Sequence, residues 1–190
     1  MACFSMKVMR YIENADGVLR ERSSFTILKD IAYVVLILLI CLFIKFYVVS
    51  VVRVSGSSME PNYHSCELVL CERISYYIRT PQKGEVVICN YPDEYYNIFN
   101  KTKAFRIKRV IAVGGDTVKV EDNVVYVNGE AINELYLPDG VYNEDFEEIT
   151  VPIGSVFVMG DNRTNSMDSR NDAVGPIPLN QVWGKVIFHK

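Results

Sequence analysis

Three groups of residues in this 190-residue chain have the types and spacing to do chemistry. Ser58 lies in Val54-Ser55-Gly56-Ser57-Ser58-Met59-Glu60-Pro61, just after the most apolar segment of the chain. Lys108 follows about fifty residues later inside an apolar run, Ile107-Lys108-Arg109-Val110-Ile111. The third group is Gly160-Asp161-Asn162-Arg163-Thr164-Asn165-Ser166-Met167-Asp168-Ser169-Arg170. A serine hydroxyl is a poor nucleophile until a base takes its proton. The only histidines are His64, six residues past Ser58, and His189, the penultimate residue, so no Ser-His-Asp triad is in prospect. Lysine can act as the base, but at its reference pKa only roughly 4 in 10⁴ molecules are neutral at pH 7. Burial lowers that pKa by making the charged form costly. Strand alternation puts Lys108 on one face with Arg106 and Val110, and Ile107, Arg109 and Ile111 on the other. Periodicity leaves open whether that face is buried; the alternative is an exposed edge lysine. Beside a membrane span, the set reads as a serine protease working where bilayer meets water.

The elements that must position these groups begin with the span. Ile31 to Val52 holds twenty-two residues and one charge, Lys45. As a helix it reaches about 33 Å, enough for a hydrocarbon core of about 30 Å. Arg20, Arg22 and Lys29 precede it, which places residues 1–30 in the cytoplasm as a tail and residues 53–190 outside as the catalytic domain. A cleaved signal peptide fits poorly, because thirty residues precede the span and VVSVVRVSG offers no Ala-x-Ala exit. A buried core helix fits poorly too, for want of polar periodicity.

Beyond residue 54 the apolar runs are short and rich in β-branched and aromatic residues: 67–74, 84–89, 105–113, 155–159 and 182–188. Valine-rich runs flanking Glu121-Asp122-Asn123, with Asn128-Gly129 beyond, predict a hairpin between Thr117 and Ala131. No sustained 3.6-residue period appears, so the expected fold is mostly β, an antiparallel domain behind one N-terminal helix. The acidic, turn-rich segment 133–150 reads as a surface excursion. Residues 91–104, with Tyr91, Tyr95, Tyr96 and Phe99, form a loop whose aromatics either touch lipid headgroups or are partly buried.

A net charge of −3 gives no basic footprint, so nucleic acid is not an expected partner. The five cysteines (3, 41, 66, 71 and 89) lack CxxC spacing, and two scattered histidines do not build a metal site; no metal or other cofactor is expected. Cys66 and Cys71 either form one bridge or remain buried free thiols.

The three chemical segments, taken in order, resemble the motif boxes of bacterial type I signal peptidases: S-M-x-P at Ser58, K-R-V-I at Lys108 with G-G-D after it, and G-D-N-R-x-N-S-x-D-S-R at 160–170. Gly84-Glu85-Val86-Val87 is similar to that family's G-D-V-V box. The likeness covers the whole chain, and the small single-span form resembles the Gram-positive subtype. It implies a Ser-Lys endopeptidase removing signal peptides, with Ser58 as nucleophile and Lys108 as general base. It implies that Ser166 orients the lysine, that Asp168 and Arg170 pair to hold the loops, and that Asp161, Asn162 and Arg163 support them. Substrate would lie extended between Arg53–Ser57 and Phe105–Lys108, with Val54, Met59, Phe105 and Ile107 at its pockets. The implied partners are preproteins with small residues at −1 and −3, the lipid bilayer, and secretion or pilus-assembly machinery. Two departures stand out: Asn62 follows S-M-x-P where many relatives carry threonine, and Gly56 stands where some place an oxyanion-binding serine. The competing function is an accessory relative that assists assembly of surface structures such as pili.

Overall fold

The structure is a computed structural model and describes residues 11–13, 19–21, 24–91 and 105–189. Of the expected aromatic loop, only Tyr91 falls among them. The chain divides into two units, Met1–Phe46 and Tyr47–Lys190.

The first unit contains a short antiparallel pair, β1 (Tyr11–Glu13) with β2 (Leu19–Glu21), and the helix α1 (Ser24–Phe43). Within α1, Phe25–Phe43 is long and apolar enough to cross a membrane, and none of its side chains is buried by protein. Nineteen residues make about 28 Å of helix. This corrects the expected span of 31–52 at both ends. Lys29 and Asp30 lie inside α1, where the Lys29 amine sits 4.5 Å from the Phe25 ring centroid. At the other end, Ile44–Val48 is π-helical and Val49–Arg53 becomes the strand β3. The run Val48 to Val52 is dominated by β-branched side chains, which suit a pleated sheet better than a helix.

The second unit is antiparallel β. One sheet of seven strands runs in the order β12-β11-β6-β5-β13-β4-β3. Its members are β3, β4 (Leu68–Glu72), β5 (Val86–Asn90), β6 (Phe105–Val113), β11 (Ser155–Met159), β12 (Ile177–Pro178) and β13 (Val182–His189). The four-stranded second sheet, order β10-β7-β8-β9, uses β7 (Thr117–Glu121), β8 (Val124–Val127), β9 (Glu130–Ala131) and β10 (Phe146–Thr150). Among the described residues of this unit the one α-helix is the single turn α2 (Ser75–Ile78). The predicted hairpin forms with Asp122 and Asn123 at φ 50° and 68°, the left-handed pair that a type I′ turn demands. Asn128 and Gly129, at 55° and 78°, repeat it.

Both faces of the large sheet are covered, so its central strands bury residues of both parities. Val86 and Ile88 of β5 join Val54, Met59, Val69 and Ile107 on one side. Val87 and Cys89 join Val110, Val156 and Val158 on the other. A third cluster, with Phe157, Val118 and Val127, lies between the far end of β6 and the second sheet.

The segment 133–150 is more than a surface excursion. Phe146–Thr150 pairs with β7, and Asn143 is buried. Polar residues hide this role, because what they bury is a charge rather than an apolar face. Of the two cysteine readings the structure has the free thiols: Cys71 and Cys89 are buried, and Cys66 differs only in being exposed.

Candidate active site

Lys108 sits in the middle of β6, paired opposite Val87 of β5, and its side chain is 1% exposed. That burial removes the edge-lysine alternative. Its amine donates a 2.6 Å hydrogen bond to Ser58 Oγ. Burial lowers the Lys108 pKa to about 8, against the opposing pull of Asp168 and Cys89, with the Arg106 charge adding to the depression. A lysine so placed is neutral in a useful fraction of molecules near neutral pH, and the 2.6 Å contact then runs from the serine hydroxyl to the amine lone pair.

Ser58 is carried by the loop between β3 and β4. The loop turns at Gly56, whose φ of +90° a side chain would strain. It is pinned by the 160–170 segment: the Asn162 N–H donates to the Ser58 carbonyl at 3.0 Å, and Asn162 Nδ2 to the Ser57 carbonyl at 3.1 Å. Asn165 Nδ2 adds a 2.9 Å bond to Ser57 Oγ. Gly160 lets the two segments approach. A Cβ there would collide with Ser166 Oγ and with the Ser58 carbonyl oxygen.

Asp168 is fully buried and accepts from Arg170 Nε at 2.8 Å and Nη2 at 2.9 Å, and from the Gly160 N–H at 2.9 Å. Burial pushes its carboxyl up, but Arg170, Ser166 and the Gly160 N–H outweigh that and hold it below the usual range. Ser166 thus stands near Asp168, yet among the described residues its buried hydroxyl finds no hydrogen-bond partner of good geometry, Lys108 included. Asp161 receives Arg109 Nε at 2.8 Å and Nη2 at 2.6 Å, joining the loop to β6. Asn62 completes that corner, donating to Asp161 Oδ2 at 2.8 Å and to the Tyr136 carbonyl at 2.7 Å. An amide can serve both acceptors at once, a use a threonine hydroxyl with its single hydrogen would not match.

Arg163 is buried and donates to the Gly160 carbonyl at 3.1 Å, to Asn143 Oδ1 at 2.6 Å and to Glu134. Sequence reasoning did not find Glu134, Asn143 or Arg109 as supports. A buried arginine demands a carboxylate partner, and an acidic segment flanking the G-D-N-R run was the one available signal.

Of the expected pocket residues, Val54 and Ile107 are buried and Phe105 is half-exposed. These three line a cavity of about 10 Å³ with Val52, Val69 and Ile88. Met59 lies beneath the site instead, fully buried, its Sδ accepting the Asp161 N–H at 3.4 Å.

The family model described as signal peptidase, peptidase S26, matches residues 27–189. Signal peptidase I S of Bacillus subtilis is 33% identical over 86% of this chain and 90% of its own length. Signal peptidase I of Bacillus amyloliquefaciens is 33% identical over 82% of this chain and 83% of its own. A probable signal peptidase I-1 of Synechocystis is 34% identical over 84% and 80%.

Proposed function

From the premise that this chain belongs to the signal peptidase I family, peptidase S26, whose reaction is removal of signal peptides, we propose a Ser-Lys mechanism centred on Ser58 and Lys108. The observation that carries it is the 2.6 Å contact between a buried lysine amine and the serine hydroxyl. Neutral Lys108 takes the Ser58 proton as Oγ attacks the carbonyl carbon of the preprotein bond. The Ser58 N–H, which makes none of the backbone bonds that pin its loop, donates to the oxyanion. As the tetrahedral species collapses, Lys108 passes its proton to the leaving amine. Water, deprotonated by the same lysine, then hydrolyses the acyl-enzyme.

The substrate lies extended between the chain leading to Ser58 and the first half of β6. Strand β11 pairs with β6 only from Arg109 onward, so an incoming strand can add alongside Phe105–Lys108. Ser58 and Lys108 stand at the C-terminal ends of their segments, so residues preceding the cleaved bond run back toward Arg53 and Phe105. The 10 Å³ cavity is narrow, closed in by Val52, Val54, Val69, Ile88 and Ile107, which supports alanine as a favoured residue at −3. The same close packing around Val54 and Ile107 supports small residues at −1.

The helix Phe25–Phe43 anchors the protein, with residues 1–24 in the cytoplasm and the catalytic unit at the outer membrane face, beside the secretion machinery that delivers preproteins. Incubating the detergent-solubilised protein with a preprotein bearing alanine at −1 and −3 tests the reading. Cleavage is expected from the parent, none from Ser58→Ala, and none when −1 is phenylalanine. An inactive parent on which surface assembly still depends would favour the accessory role, and full protection of the catalytic unit from protease added to intact protoplasts would overturn the orientation.

A further inference from the structure

The walls of the 10 Å³ cavity do not end the groove. Phe105 also lines a second cavity, of about 340 Å³, whose wall is mixed: the rings of Tyr76, Tyr77 and Trp183 beside the polar side chains of Arg73, Asn90 and Gln181. The Phe105 and Trp183 ring centroids are 5.1 Å apart, and the Arg73 guanidinium lies 4.8 Å over the Trp183 ring. Trp183 owes its position to a break in register: β13 pairs Val182 with Cys89 and Gly184 with Ile88, leaving Trp183 as the extra residue of a bulge. Bulges re-aim side chains. This one directs the indole onto the cluster of Val54, Val69, Ile88 and Ile107, the same side of the sheet that forms the small cavity.

We infer that this cavity is a subsite for the preprotein residue at −5, and that it selects a bulky apolar or aromatic side chain there. The inference rests on the substrate path proposed above. In an extended chain, residues −1, −3 and −5 point to one face. Four residues span roughly 13 Å, while the three steps from Lys108 back to Phe105 span roughly 10 Å, so −5 arrives just beyond the Phe105 ring. What it meets there contrasts with its predecessor: about 340 Å³ against about 10 Å³. A phenylalanine or leucine side chain can pack against the two rings, whereas a lysine or arginine would be brought up to the Arg73 guanidinium.

Trp183 is the only tryptophan in the chain, so its emission reports directly on this cavity. The full-length Ser58→Ala protein in detergent would be titrated with peptides carrying alanine at −1 and −3 and either phenylalanine, alanine or lysine at −5. A change in tryptophan emission is expected with phenylalanine and not with alanine or lysine. In the parent enzyme, kcat/KM should be about tenfold higher for phenylalanine than for alanine at −5, the discrimination an apolar pocket supplies. That ratio should fall toward one in Trp183→Ala and survive in Trp183→Phe, which keeps a ring in the bulge. Equal emission changes for all three peptides, or an undiminished ratio in Trp183→Ala, would overturn the subsite while leaving the protease intact. Failure of the parent to cleave any of these peptides would overturn the underlying substrate path, and the subsite with it.

Discussion

Glu134 and Arg163, 29 residues apart, form a two-point ion pair in which the arginine side chain is fully buried and the glutamate is 13% exposed. Arg163 in turn holds the Gly160 carbonyl, and its own carbonyl accepts Arg170 Nη2 at 2.8 Å. One carboxylate outside the motif segments therefore supports the loop that pins Ser58.

Removing that carboxylate leaves a buried guanidinium whose remaining hydrogen-bond partners, the Gly160 carbonyl, Asn143 and Tyr136, are all neutral. Glu134→Ala should destabilise the protein by about 3 kcal/mol, the scale for breaking a buried pair from one side. Urea unfolding of parent and variant measures it. A change under about 0.5 kcal/mol, the usual range for surface substitutions, would show that the pair is not holding the loop.

Gly160→Ala tests the close approach of the two active-site segments. Its methyl would collide with Ser166 Oγ and with the Ser58 backbone carbonyl, and the latter cannot swing aside. Displacing Ser58 by about 1 Å should lower kcat by about 100-fold. Steady-state kinetics beside a circular dichroism spectrum separates this from unfolding. Unimpaired turnover would mean that the segments are not held in this register during catalysis.

Burial of Lys108 should cost stability, with a pH dependence of known sign. Its folded pKa, about 8, lies below the unfolded value near 10.4. Between these values the unfolded chain binds more protons, so stability rises with pH through this window. Below pH 8 the penalty is fully present, on the order of 3 kcal/mol. Lys108→Met should therefore be more stable than the parent at pH 7, with the advantage shrinking as pH rises past 8. Denaturant midpoints at pH 7, 8.5 and 10 give the comparison. A methionine variant less stable at pH 7, or an advantage that grows with pH, would contradict the burial argument.

Much of the fold was legible in the chain because β structure announces itself by local pattern. Phe105–Val113 and Ser155–Met159 have the predicted bounds, and the Asp122-Asn123 and Asn128-Gly129 turns form where their residue types require. The span was misplaced at its end because Phe46 to Val52 is apolar whether it is helix or edge strand, and hydropathy does not distinguish the two. In the site, spacing identified Ser58 and Lys108 as candidates, but only tertiary packing shows that one face of β6 is buried enough to depress a lysine. Glu134 and Asn143 escaped notice because their partner, Arg163, reaches them across the fold, and no periodicity in 133–150 encodes that contact.

The central claim, that neutral Lys108 activates Ser58, is tested most directly by the pH dependence of kcat/KM on a preprotein with alanine at −1 and −3. The claim predicts a rise of tenfold per pH unit on the acid side, levelling at an apparent pKa of about 8. Lys108→Arg should be as inactive as Lys108→Ala, since guanidinium stays charged. A rate flat from pH 6 to 9, or near-parental cleavage by Lys108→Arg, would contradict it.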